Sequence, residues 1–130
     1  MMGARATGTF KVSFEQLDSG DPAIGRMRVS KEISGDLQAT AIAQMLSVGS
    51  TVPDSAGYVA IDQVTGTLHG RTGTFVLQHS GLMSRGDGTL SVVVVPDSGT
   101  GELAGLRGTF AIDIVDGEHR YTFDYDLDAA

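Results

Sequence analysis

Alternation of apolar and polar residues runs through most of the chain. Phe10, Val12 and Phe14 alternate with Lys11, Ser13 and Glu15, and Tyr121, Phe123, Tyr125 and Leu127 alternate with Arg120, Thr122, Asp124 and Asp126. A period of two places successive side chains on opposite faces, the pattern of a half-buried strand. Short runs rich in Val, Ile, Thr, Phe and Tyr, bounded by glycine, predict eight strands: Thr7–Leu17, Gly25–Ile33, Leu37–Val48, Gly57–Leu68, Gly73–Ser84, Thr89–Val95, Gly108–Val115 and Arg120–Asp128. Turn chemistry separates them at Asp18-Ser19-Gly20-Asp21-Pro22, Ser34-Gly35-Asp36, Pro53-Asp54-Ser55-Ala56-Gly57, His69-Gly70-Arg71, Gly86-Asp87-Gly88 and Asp116-Gly117-Glu118.

The third run is ambiguous in composition. Its alanines suit a helix, yet Ala39, Ala41 and Ala43 alternate with Gln38, Thr40, Ile42 and Gln44. Small residues on one strand face are what a narrow barrel interior requires, so the segment is read as a strand. Two stretches, Thr65 to Phe75 and Thr100 to Phe110, share the frame Thr-Gly-x-Leu-x-Gly-x-x-Gly-Thr-Phe. The repeat predicts a strand, tight turn and strand used twice, with glycines where φ is positive or backbones approach closely.

The 130 residues fit a single domain, residues 1–130. Such a length buries roughly two thirds of the unfolded surface without help from metal or disulfide. Eight strands without edge-blocking prolines favour closure, giving an all-β, closed, eight-stranded antiparallel barrel. The absence of cysteine removes disulfides and thiolate chemistry. A net charge of −7 shows no basic face for nucleic acid. Met1-Met2-Gly3-Ala4-Arg5 lacks the apolar core of a secretory signal, and Val92–Val95 is too short to span a bilayer. The expectation is therefore a cytoplasmic protein with neither nucleic-acid nor membrane partners.

Three segments carry a resemblance to a known family: Gly57-Tyr58-Val59-Ala60-Ile61-Asp62-Gln63-Val64-Thr65-Gly66-Thr67-Leu68, Gly70-Arg71-Thr72-Gly73-Thr74-Phe75-Val76-Leu77-Gln78-His79-Ser80-Gly81, and Val95-Pro96-Asp97-Ser98-Gly99-Thr100-Gly101-Glu102-Leu103-Ala104-Gly105-Leu106-Arg107-Gly108. Lys31–Leu37 and Tyr121–Leu127 fit the same pattern. The sequence resembles the bacterial family known as domain of unknown function 3224. That resemblance implies an eight-stranded barrel similar to plant allene oxide cyclase; the Ser98–Gly108 segment is also similar to the Gly-Thr-Gly turn of dirigent proteins. It implies no activity. The cyclase's glutamate, asparagine, tyrosine and cysteine set has no counterpart here, since the chain has neither cysteine nor asparagine.

An eight-stranded barrel has room for packed side chains or one small ligand. The leading expectation is a lumen that binds a small apolar or amphipathic molecule, with cofactor-free cyclase or isomerase chemistry as its enzymatic form. The candidate ligand-binding residues are Tyr58, Asp62, Gln78, His79, Arg28, Glu32 and Glu102. Tyr58 and Asp62 share a strand face about 13 Å apart, where a carboxylate among apolar neighbours can serve as a base, or else stand at the rim. Only one of Gln78 and His79 can face inward; His79 shares its face with Phe75 and Leu77, and imidazole suits proton transfer as well as a structural hydrogen bond. Arg28 and Glu32 share a face as an internal ion pair or a surface one. Glu102 lies among glycines whose N–H groups could hold an anion. His69 and His119 are expected in exposed turns, and the three histidines lack zinc spacing, so no metal is expected.

The alternative is a non-catalytic structural or interaction protein, with a filled barrel acting through its outer surface. Either way a homo-oligomer is expected, because Val92 and Val94 point one way while Val93 and Val95 point the other.

Overall fold

A computed structural model describes residues 3–127. Eight strands, β1 (Ala4–Leu17), β2 (Gly25–Gly35), β3 (Leu37–Gly49), β4 (Ala56–Leu68), β5 (Arg71–Ser84), β6 (Asp87–Val94), β7 (Leu106–Val115) and β8 (Glu118–Leu127), follow one another in a closed antiparallel barrel. Sequence neighbours pair throughout, and β1 closes the ring on β8 with Gly8 opposite Tyr121. All eight predicted strands are present; Asp128, the last position of the final run, lies outside the described residues, as do Met1 and Met2. The alanine-rich third run is β3, with Ala39 opposite Ile33 and Gly66. Ala41 and Ala43 are buried, where a larger side chain would fill a narrow lumen. Among the described residues no helix is long and apolar enough to cross a membrane.

The repeated frame is used in two different ways, which corrects the expectation of one device used twice. Its first copy spans the hairpin between β4 and β5, whereas the second holds a single 3-10 turn, η1 (Gly101–Leu103), before β7. The two copies pack on each other: Thr100 N–H donates to Thr74 O at 2.8 Å and Thr72 N–H donates to Glu102 Oε1 at 3.1 Å. Leu103, fully buried, is thereby pressed over one end of the barrel.

That end is solid. Phe75 stacks on Phe123 at 5.8 Å, Phe110 stacks on Tyr121 at 5.0 Å, and Phe123 meets both Phe110 and Tyr125. Offset ring packing of this kind adds to the gain from burial. The Tyr121 hydroxyl accepts from Leu37 N–H at 3.1 Å and donates to Ser34 O at 2.9 Å, which ties β8 to the β2–β3 turn. The ladder is uneven around the ring. β4 is paired with β5 over its whole length, from Ala56 opposite Met83 to Leu68 opposite Arg71. Between β6 and β7 the one bridge among the described residues is Val93 opposite Thr109.

Candidate functional site

The other half of the lumen is hollow. A cavity of about 290 Å³ is walled by side chains that include Phe10, Val12, Phe14, Met45, Leu90 and Ile112, and it opens at a rim where Phe14, Leu90 and Ile114 are exposed. Below this apolar mouth lie Lys31 from β2, Asp62 from β4 and His79 from β5. Strand alternation puts them there. Lys31 falls between inward Val29 and Ile33, Asp62 between Ala60 and Val64, and His79 after inward Phe75 and Leu77.

Lys31 Nζ donates to Asp62 Oδ2 at 2.6 Å, and His79 Nε2 lies 3.3 Å from the same oxygen. The carboxylate can only accept, so the Nε2 proton points to it, and in the neutral ring the lone pair is then on Nδ1. Asp62 is 1% exposed and His79 4%, while the Lys31 side chain, at 11%, reaches the cavity. Burial pushes the Asp62 carboxyl upward, but the His79 hydrogen bond and the Lys31 charge together outweigh it and hold its pKa below the ordinary value. Its second oxygen, Oδ1, is buried without a partner. Lys31 Nζ also stands 5.7 Å above the Phe10 ring, a favourable cation–π position.

Tyr58 lies on the same face of β4 as Asp62, its ring 6.5 Å from that of His79. Its β5 partner is Gly81, where a Cβ would come within 2.3 Å of the Tyr58 ring. The glycine makes the floor on which the ring lies. Burial raises the pKa of the Tyr58 hydroxyl.

The cluster unites three of the seven candidate residues, Tyr58, Asp62 and His79, and leaves out four. Gln78 points outward and is exposed, because alternation gave the lumen to His79. Arg28 and Glu32 share the outer face of β2; Arg28 pairs across the ladder with Glu15 at 3.0 Å, so the internal Arg28–Glu32 pair does not exist. Glu102 is also outside the lumen, where its carboxylate accepts from Thr72 N–H. His69 is in a turn as expected, with φ of 47°. His119 is not. It is the second residue of β8, opposite Phe10 and Ile114, and its ring lies 5.0 Å from the Phe10 ring inside the mouth. The residue that sequence reading passed over is Lys31, although its position two residues from both Val29 and Ile33 marks it as inward-facing. Among the described residues, no group of three or more His, Asp or Glu side chains is placed to hold a metal ion.

Comparison with known proteins gives a family and no activity. The model of the family described as protein of unknown function (DUF3224) matches residues 6–125. The crystal structure of a protein with unknown function from the DUF3224 family of Shewanella oneidensis MR-1 is similar to this chain, with a TM-score of 0.94 and 43% identity over 99% of this chain and 100% of that one. Among curated proteins none matches. Similarity over essentially the full barrel, with a family match across all eight strands, shows that the chain belongs to the DUF3224 family.

Proposed function

We propose that the barrel is a receptacle for a small amphipathic molecule, its polar end on Lys31 and His79 and its apolar body along the upper lumen. The observation that carries this reading is a buried, charged cluster at the floor of a one-ended apolar cavity. Small-molecule sites combine apolar walls with a few convergent polar groups, and about 300 Å³ is the lower end of their usual size. Stability alone gives no reason for the cluster, since a buried ion pair is often no better than well-packed apolar residues. The opposite end of the same lumen is filled by aromatic rings. The reading is tested by native mass spectrometry of protein purified from its own host. A small molecule released on denaturation is expected. Bare protein that also fails to take up the neutral fluorophore 1-aminoanthracene into the lumen would overturn it.

A second role, as an assembly surface, has its own support. The outer faces of β3, β4 and β5 expose Ile42, Leu46, Val48, Val59, Ile61 and Leu82. Cross-strand pairing sets Leu46 beside Val59 and Gly57 beside Leu82, so these side chains form one patch. Contiguous apolar patches of several hundred Å² usually mark contacts, and a second copy of the chain would cover this one. The patch differs from the one expected at Val92–Val95, where Val92 and Val94 are buried in the lumen and Val93 and Val95 are half-buried. Light scattering at micromolar concentration tests it: a mass near the 13.5 kDa of one chain would count against assembly.

A further inference from the structure

The charge balance of the cluster narrows the ligand. Lys31 and Asp62 neutralise each other on a single oxygen contact. A carboxylate bound beside them would leave one uncompensated negative charge in a water-poor lumen, which is costly. A neutral carbonyl would not, and the Lys31 ammonium has donors beyond the one given to Asp62.

His79 supplies the second half of the argument. Its Nε2–H is committed to Asp62, which fixes the tautomer and leaves the Nδ1 lone pair. Among the described residues Nδ1 has no hydrogen-bond partner, and His79 is one of the residues that line the cavity. Base, orienting carboxylate and cationic donor thus meet beside an apolar cavity. This is the set that proton abstraction next to a carbonyl requires.

We propose that His79 is a general base, and Lys31 the oxyanion-holding donor, for proton transfer at the carbon next to the carbonyl of a small, neutral, apolar ketone. The proposal rests on the lumen being a ligand site. The C–H bond breaks and its proton goes to His79 Nδ1. The electron pair left behind forms a carbon–carbon double bond, and the carbonyl π pair moves onto oxygen as an enolate. Lys31 donates a hydrogen bond to that oxygen, while Asp62, as a positioning residue, faces the new imidazolium. Total charge in the lumen is unchanged, so the step buries no new net charge. The proton then returns to the same carbon or, where a neighbouring double bond extends the enolate, to its far end. The second outcome is a double-bond isomerisation.

The test uses methyl hexyl ketone in deuterium oxide, with binding read by displacement of the neutral fluorophore 1-aminoanthracene and exchange read by proton NMR. Exchange of the protons next to the carbonyl is expected about 100-fold faster with the protein than with equal free imidazole. His79→Gln should bind the ketone but lose the excess exchange, Lys31→Met should lower it, and Gln78→Ala, on the outer face, should leave it unchanged. A ketone that binds the wild-type protein without excess exchange overturns the proposal and leaves the receptacle reading intact. Octanoate binding where the ketone does not overturns the assignment of a neutral carbonyl. Binding of none of the three probes overturns both readings. If His79→Gln does not fold, the wild-type comparison with imidazole decides.

Discussion

Removing the two charges of the cluster singly and together gives a sharp test of how it is held. Lys31→Met leaves Asp62, 1% exposed, with His79 as its sole partner. Breaking a buried pair by deleting one member costs about 3–5 kcal/mol. The lower end applies here, because the Lys31 side chain is 11% exposed and water from the cavity can follow it. Asp62→Leu strands the ammonium and also takes the acceptor from His79 Nε2–H, again about 3 kcal/mol. The double variant strands no charge. It loses the acceptor of one imidazole N–H, about 1–2 kcal/mol, and gains an apolar floor. The double variant should therefore be more stable than either single one, with a coupling of about 4 kcal/mol against additivity. Urea titrations followed by far-ultraviolet circular dichroism measure this, provided the slopes agree between variants. Single effects that add to within about 0.5 kcal/mol would show that the two charges do not depend on each other.

Three further outcomes are expected. The Asp62 carboxyl titrates below its ordinary 3.8 in the folded state, so its contribution is fully present above that value and lost as pH falls through the lower folded value; acid titrations should show a steeper loss of stability for the wild type than for the double variant. Gly101→Val should lower the melting temperature far more than Glu102→Gln, because Gly101 has φ of 61° and a Cβ would sit 2.9 Å from Thr72 O, a strain of about 1–3 kcal/mol; equal melting temperatures would refute that reading of the turn. Val59→Lys or Ile61→Lys, both exposed on the outer face, should reduce any assembled mass in light scattering to one chain without loss of β signal, and an unchanged larger mass would move the contact elsewhere.

The strands were legible because each half-buried run writes its burial directly into a period of two. Even β3 was readable, since Ala39, Ala41 and Ala43 kept the period although their composition favoured a helix. The site was legible only in part, for a related reason. His79 and Asp62 stand out as polar residues within apolar stretches, but alternation alone left open whether His79 or Gln78 faces inward and whether Asp62 stands at the rim. Lys31 lies among Ser30 and Glu32, which hides it in a polar neighbourhood. Only its register with Val29 and Ile33 reveals its direction. Arg28 and Glu32 follow the same rule on the opposite parity. What no local pattern contains is closure: which inward positions of β2, β4 and β5 come level depends on the stagger of the whole ring. The different fates of the two glycine frames have a similar origin, because the second copy is shaped by docking on β5 rather than by its own residues.

The unequal seams of the ring bear on how the barrel breathes. A closed sheet has no edge, so it can loosen only where a ladder is already thin, and among the described residues that is the one Val93–Thr109 bridge between β6 and β7. Local opening follows the lowest density of backbone bonds. Leu90 and Ile112, on the two sides of that seam, both line the hollow half of the lumen. With the far end plugged by Leu103 and the aromatic rings, a parting there would widen the mouth sideways. The barrel would then work as a split collar, in which the rate of molecular traffic is set by one hinge line and not by the width of the rim.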